Sequence, residues 1–67
     1  MGNTIKTLEY SQIFDEYETE KAYCFAFGDD PRIYLPKSQV EDIRESTNEV
    51  DIPLWLVDAK GLEEFMK

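Results

Sequence analysis

After Lys21, residues 22–27 alternate small and aromatic side chains, with tyrosine or phenylalanine at every second position and alanine or cysteine between them. Side chains two positions apart lie on one face of a strand, so this pattern predicts a β-strand whose aromatic face packs on the core. Turn-forming residues 28–31 and the apolar segment 32–35 follow. They predict a β-hairpin whose second strand ends at Pro36, because proline cannot donate a hydrogen bond to a neighbouring strand.

Two further segments favour strands. Residues 4–14 are rich in β-branched and aromatic side chains but have no clean period, which indicates a strand rather than a helix. The acidic residues 15–20 form either the end of this strand or the turn after it. Residues 49–52 are short and alternating, and we predict that they form a final strand at an edge of the sheet.

Residues 39–45 fit two structures. Ser38 followed by Glu41 matches a capping box, in which each side chain bonds a free backbone amide at the start of a helix. Val40 and Ile43 would give that helix one apolar stripe, so a short helix over 39–45 is one of these structures. Because the pattern is short, a strand or an irregular segment is the alternative.

The carboxy-terminal part predicts a helix from Leu54 to about Lys60. Pro53 suits the start of a helix, where its missing N–H is not needed. Gly61 is suited to end the helix in a left-handed conformation. We expect residues 63–67 to add another helical turn that carries Phe65 toward the core.

Together these elements predict one α+β domain over residues 1–67, with a small antiparallel sheet of three or four strands and a carboxy-terminal helix packed on it. If Trp55 lies in the core, its replacement by alanine should cost roughly 3–5 kcal/mol. The expected core residues are Ile5, Tyr23, Phe25, Phe27, Ile33, Leu35, Val40, Ile52, Leu54, Trp55 and Leu62.

The charge balance argues against catalysis and against direct nucleic-acid binding. The chain has 15 Asp and Glu against 7 Lys and Arg, no histidine and a net charge of -8. Without histidine it lacks the usual group that titrates near neutral pH, and such a negative surface repels phosphates. The sequence contains no phosphate-binding loop and no calcium loop. It also has no zinc-ligand spacing, since the single cysteine Cys24 has no partner ligands. We therefore expect a protein that is not an enzyme and needs no cofactor or metal.

The acidic residues have two interpretations. They can keep the protein dispersed and its strand edges unpaired. Alternatively, they can form a negative field that docks on a basic surface of a larger host protein, imitating the phosphates of nucleic acid. The candidate partner-binding residues are Asp15, Glu16, Glu18, Glu20, Asp29 and Asp30.

Two other functions remain open. The stripe of Tyr23, Phe25 and Phe27 could stack on the bases of single-stranded DNA, although a small domain needs these rings in its core. An unpaired strand edge could also build a small homo-oligomer, whereas binding to a basic partner surface is compatible with a monomer. No apolar segment has the length of a membrane span and the first ten residues lack the apolar core of a signal peptide, so we expect a cytoplasmic protein without membrane contact.

Two blocks of the sequence stand out, namely Ile33-Tyr34-Leu35-Pro36-Lys37-Ser38-Gln39-Val40 and Val50-Asp51-Ile52-Pro53-Leu54-Trp55-Leu56 with Lys60-Gly61-Leu62. They resemble a family of very short, largely uncharacterised phage and prophage proteins. The chain departs from the family pattern in Tyr34, where tryptophan is usual, in a longer segment between the blocks and in extra residues after Leu62. The resemblance implies a small sheet with a terminal helix and a phage origin, and it assigns no activity. It makes a host nucleic-acid-directed defence system the expected target, with an accessory role in phage DNA replication or recombination as the alternative.

Overall fold

The computed structural model describes residues 4–67, which form two three-stranded antiparallel sheets and one helix. The strands are β1 Ile5–Glu9, β2 Gln12–Ile13, β3 Ala22–Phe27, β4 Asp30–Pro36, β5 Asp42–Arg44 and β6 Glu49–Pro53, and the helix α1 is Leu54–Lys60. The first sheet has the order β1-β6-β5 and the second sheet has the order β2-β3-β4. This confirms the α+β class and the carboxy-terminal helix, with the strands divided between two sheets. Short 3-10 turns occur at Asp15–Tyr17, Lys37–Gln39 and Glu63–Phe65.

The predicted hairpin is confirmed, and its aromatic strand lies in the middle of the second sheet. Phe25 and Phe27 on β3 are fully buried. Their ring centroids lie 5.9 Å apart, and the ring of Tyr10 lies 5.0 Å from that of Phe25. Such tilted pairs stabilise a core beyond the area that they bury. Because Phe27 pairs with Asp30, the turn between the strands contains only two residues.

The first sheet corrects one prediction and decides between two alternatives. Strand β6 lies between β1 and β5, so the prediction that residues 49–52 form an edge strand is wrong. Of the structures that residues 39–45 fit, the helix does not form: a 3-10 turn and strand β5 occupy this region. The backbone amide of Glu41 donates to the carbonyl of Asp51 at 2.8 Å, so cross-strand bonds replace the helical ones. In the extended strand β5, Arg44 lies beside carboxylates of β6 and donates hydrogen bonds to them.

The helix follows its prediction closely. Gly61 has φ 68° and ψ 41°, and its amide and that of Leu62 donate to the carbonyls of Asp58 and Val57 at 3.3 and 3.0 Å. This arrangement ends a helix in a left-handed residue, as predicted. The last 3-10 turn brings Phe65 against the core, with its ring centroid 5.4 Å from that of Phe27.

Two expected core residues are instead exposed. The side chain of Trp55 is 50% exposed on α1, and that of Ile5 is 39% exposed at the start of β1. Residues 54–57 are all apolar, but successive residues of a helix differ in direction by about 100°, so four in a row cannot all face one core. The helix buries Leu56 and Val57, and Trp55 points away from them. The other expected core residues are buried or pack against the buried cluster.

Candidate functional site

The six acidic residues selected from the sequence lie in two groups at opposite ends of the β3–β4 hairpin. One group, Asp15, Glu16, Glu18 and Glu20, lies in the segment between β2 and β3, here called the acidic segment (residues 15–20). Asp29 and Asp30 lie at the hairpin turn. The six residues of β3, an extended length of roughly 17–20 Å at about 3.3 Å per residue, lie between Glu20 and the hairpin turn. The structure brings together the first four acids but does not join them to the last two.

The acidic segment has a defined backbone conformation. Its 3-10 turn carries the chain away from β2, and the carbonyl of Phe14 accepts a hydrogen bond from the amide of Tyr17 at 3.3 Å. At its other end the hydroxyl of Thr19 accepts from the amide of Ala22 at 3.0 Å, and the amide of Thr19 donates to the carbonyl of Ala22 at 2.9 Å. These bonds fix where the carboxylates stand relative to the sheet, because the turn is closed at both ends.

Three aromatic side chains, Phe14, Tyr17 and Tyr34, lie on the outer side of the second sheet and are here called the aromatic face. Cys24 pairs with Tyr34, and its carbonyl accepts from the amide of Phe14 at 2.9 Å, so these residues share one side of the sheet. The opposite side carries Phe25 and packs on the core. Tyr17 and Tyr34 are each 38% exposed and, with Trp55 on α1, are the exposed aromatic side chains of residues 4–67.

The acidic segment contacts two cations of the β4 side of the sheet, although it begins directly after β2. The Tyr17 ring lies edge-on to Phe14 at 5.7 Å, and Arg32 of β4 has its Cζ 4.2 Å from the centre of the Tyr17 ring. One residue further, Glu18 accepts a hydrogen bond from Nζ of Lys37 at 2.5 Å, directly after β4 ends. Tyr17 and its neighbours Asp15 and Glu16 therefore lie beside the aromatic face. Glu18 lies at the end of β4, where Nζ of Lys37 is also 5.0 Å from the centre of the Tyr23 ring.

Most charges of the acidic segment have no internal counter-ion. Among residues 4–67, Glu18 is the one member that forms an ion pair within 4 Å. Asp15, Glu16 and Glu20 are exposed, and so are Asp29 and Asp30 at the hairpin turn. An exposed, unpaired carboxylate keeps its full field for an approaching cation, so the negative potential near the aromatic face is available to a partner.

Sequence reasoning missed a second group of acids, on the outward side of the first sheet. Arg44 donates to Asp42 at 2.7 Å, to Asp51 at 2.8 Å and to Glu49 at 3.2 Å. Lys67 pairs with Glu49 at 2.9 Å and, together with Arg44, holds the pKa of that carboxyl at about 2. The hydrogen bond from Arg44 also lowers the pKa of Asp51. The alternation of Asp42 and Arg44 two residues apart was the sequence signal for this strand face.

The second acid group therefore differs in kind from the acidic segment. Its carboxylates are occupied by cations of the same chain, and its hydrogen bonds link β5, β6 and the carboxy terminus. Thr7 of β1 joins the group by donating to Asp51 at 2.7 Å. We assign it to the stability of the first sheet rather than to binding, because its field is already largely neutralised.

The described part of the chain holds no arrangement typical of a metal or cofactor site. No three His, Cys, Asp or Glu side chains among residues 4–67 converge as metal ligands would. The buried hydroxyl of Tyr10 has no hydrogen-bond partner, and burial, with a smaller contribution from Glu45, raises the pKa of that phenol. No helix in residues 4–67 is long and apolar enough to cross a membrane.

Comparison with known proteins found no matching family model, no matching curated protein and no matching solved structure. The resemblance to short prophage proteins stays a prediction, and the functional argument depends on the acidic segment and the aromatic face.

Proposed function

We propose that this protein is a non-enzymatic acidic binding protein that engages a basic surface of a larger host protein. The observation that supports it best is the position of the acidic segment beside the aromatic face, with Asp15, Glu16 and Glu20 exposed and unpaired among the described residues. Exposed carboxylates attract a basic surface and orient the encounter, whereas exposed tyrosines supply the apolar contact that holds it.

The two parts of this surface contribute to different steps of binding. A net charge of -8 on 67 residues accelerates association with a positive partner and makes the association rate fall with salt. Tyr17 and Tyr34, each 38% exposed, are rigid side chains of the type enriched at the centres of interfaces. An acidic surface without such a contact would be expected only to keep the protein dispersed.

Within this proposal, the target class is a host protein that acts on nucleic acid. Such proteins present Lys and Arg where they grip phosphates, so an acidic partner can occupy the same groove or block it sterically. The prophage resemblance stated above supports a defence nuclease or surveillance complex in the host cytoplasm as this target. The protein would then act as an inhibitor, with nucleic acid as its competitor.

The proposal is tested by neutralising the acidic segment and comparing a variant of equal net charge. The test variant is Asp15→Asn, Glu16→Gln, Glu18→Gln and Glu20→Gln. The control variant neutralises four exposed acids elsewhere, namely Glu41→Gln, Asp58→Asn, Glu63→Gln and Glu64→Gln. Each protein is immobilised and exposed to host lysate, and retained proteins are eluted with salt, identified, purified and measured for binding individually.

We expect a retained target to lose about tenfold or more in association rate with the test variant and to keep its rate with the control. Duplex DNA or RNA should displace the target, because the two occupy one basic groove. Equal binding by the two variants would refute a role for the acidic segment.

Single-stranded DNA binding is the second candidate, and the structure changes where it would occur. The stripe first considered for stacking is unsuitable, because Phe25 and Phe27 are fully buried in the core. The aromatic face, with Arg32 over Tyr17, is the accessible ring surface on the second sheet. Anisotropy of a labelled oligothymidylate at low salt tests this candidate. Saturable binding that weakens with salt and is lost in Tyr34→Ala would favour it over a protein target.

A further inference from the structure

We propose that the free edge of strand β4 receives an extended basic segment of the partner as an added antiparallel strand. This inference rests on the proposed function and specifies how the partner is held. In the second sheet β4 pairs with β3 on one side, and within residues 4–67 no strand pairs with its other side. An unpaired strand edge is a template for another chain, and many proteins recognise peptides by adding a strand to such an edge.

Hydrogen bonds of the neighbouring residues show which backbone groups point to the free edge. Lys37 lies opposite Lys21, and its amide donates to the Lys21 carbonyl at 2.8 Å. In antiparallel pairs, residues that exchange hydrogen bonds alternate with residues that do not. Counting from Lys21 and Lys37 in the observed register, Tyr23 with Leu35 and Phe25 with Ile33 exchange bonds, and Cys24 with Tyr34 does not.

The bonds on the other side of β3 confirm this alternation. The carbonyls of Cys24 and Ala26 accept from the amides of Phe14 and Ser11 at 2.9 and 2.7 Å, so they point toward β2 and away from β4. On β4 the matching groups of Tyr34, its N–H and its carbonyl, therefore point away from β3. The carbonyl of Arg32 does so too, because it lies opposite the inward N–H of Ile33 across a planar peptide.

These three groups form a short docking site for backbone. Within residues 4–67 none of them bonds to a group outside the strands, and inside the sheet they point away from β3. Prolines at positions 31 and 36 flank them and lack N–H groups, which limits the length of any added strand. A partner strand would form two bonds with Tyr34 and one with the Arg32 carbonyl.

The side of the sheet on which the partner's side chains lie decides which side chains the added strand should carry. Partner residues directly opposite Arg32 and Tyr34 would place their side chains on the aromatic face. The acidic segment reaches this region, since Tyr17 lies under Arg32 and Glu18 pairs with Lys37. The four acids of the segment outnumber the cations Arg32 and Lys37, which are held over Tyr17 and by Glu18, so this region keeps a negative charge. That charge favours lysine or arginine on the added strand, whereas a second copy of this chain would bring another net charge of -8.

The test uses a capped synthetic peptide in which lysine and valine alternate, with two modified forms. When the lysine side chains lie on the aromatic face, the lysine N–H groups point to β4 and the valine N–H groups point away from it. Methylation of every lysine backbone nitrogen therefore removes the bonds to β4, and methylation of every valine backbone nitrogen is the matched control. Affinities are measured by calorimetry against the wild type and the four-residue test variant.

We expect the lysine-methylated peptide to bind about tenfold or more weakly than the parent peptide, and the valine-methylated peptide to bind like the parent. The test variant should bind the parent peptide more weakly than the wild type does. Equal binding of all three peptides, with weaker binding by the test variant, would overturn the added strand and leave the proposed function standing. Equal binding of the parent peptide by wild type and test variant would instead contradict the proposed function.

Amide hydrogen exchange supplies a readout that needs no mutation. In the free protein the amide of Tyr34 should exchange much faster than those of Ile33 and Leu35, and the peptide should slow Tyr34 selectively. Protection of Tyr34 in the free monomer would overturn the inference, because the edge would then already be occupied. So would a dimer in sedimentation velocity that dissociates when peptide protects Tyr34, since a second copy would then be the occupant.

Discussion

Replacing Gly28 with alanine tests how the hairpin turn is held against the carboxy-terminal segment. Gly28 has φ 55°, a left-handed conformation that side chains other than hydrogen rarely adopt. A Cβ atom placed there would lie 2.8 Å from Cε1 and 2.9 Å from Cζ of Phe65. These distances are shorter than any relaxed carbon–carbon contact, so the ring of Phe65 must move.

The cost of the substitution has two parts. An L-residue in the left-handed region costs about 1–2 kcal/mol. Displacing Phe65 weakens its contact with Phe27, whose ring centroid is 5.4 Å away, and such a pair contributes about 0.5–1.5 kcal/mol. We therefore expect Gly28→Ala to lower the free energy of unfolding by about 1.5–3.5 kcal/mol, a large part of the stability of so small a domain.

Gly61→Ala is the matched control, because it carries the first part of the cost alone. Gly61 has φ 68°, and a Cβ there would have no atom within 4 Å. Both substitutions also reduce the conformational freedom of the unfolded chain, and this contribution cancels in the comparison. Urea unfolding followed by far-ultraviolet circular dichroism should place Gly28→Ala about 0.5–1.5 kcal/mol below Gly61→Ala.

A double-mutant cycle isolates the contact with Phe65. In a Phe65→Ala background the ring is absent, so Gly28→Ala should cost about 1–2 kcal/mol, the backbone part alone. The reasoning is refuted if Gly28→Ala costs no more than Gly61→Ala, or if its cost is the same with and without the Phe65 ring.

Three shorter predictions concern the core, the helix and the ion pairs of the first sheet. Phe27→Ala should cost about 3–5 kcal/mol and unfold much of the protein at room temperature, as urea or thermal melts will show. Trp55→Ala should cost only about 1 kcal/mol in the same melts, because half of the side chain is already exposed; a cost as large as that of Phe27→Ala would contradict this exposure. The Glu49 carboxyl has a folded pKa of about 2, below its ordinary 4.5, so its ion pairs with Arg44 and Lys67 stabilise the fold above pH 4.5 and are lost as pH falls toward 2. Glu49→Gln should therefore lower the melting temperature at neutral pH and lose this effect at about pH 2; an effect of equal size at both pH values would argue against the ion pairs.

Local pattern was sufficient for the elements that depend on neighbouring residues. The alternation in residues 22–27 predicts β3, and the turn chemistry after it predicts the hairpin, because side-chain direction in a strand is fixed by a period of two. Gly61 similarly predicts the end of α1, since the left-handed residue and its hydrogen bonds are all local.

The predictions that failed depend on contacts between distant segments. The capping box at Ser38 is a local signal for a helix, but a bond from Glu41 to Asp51 and the ion pairs of Arg44 stabilise β5 instead. No local pattern could show that residues 49–53 lie between two other strands. Trp55 was expected in the core, but its direction on the helix leaves half of the side chain exposed.

The candidate site also combines features set by neighbouring residues with contacts between distant segments. The sequence shows that residues 15–20 are acidic and adjoin Tyr17, because these residues are neighbours in the chain. It does not show that Tyr17 lies under Arg32 or that Glu18 reaches Lys37, contacts that join residues 15 and 19 positions apart. Those two contacts bring the acidic segment close to strand β4. One edge of β4 is free because β3 pairs with its other edge and β2 lies beyond β3. Acidic composition alone is therefore equally compatible with a dispersed surface, and the tertiary contacts are what make a specific basic partner the stronger hypothesis.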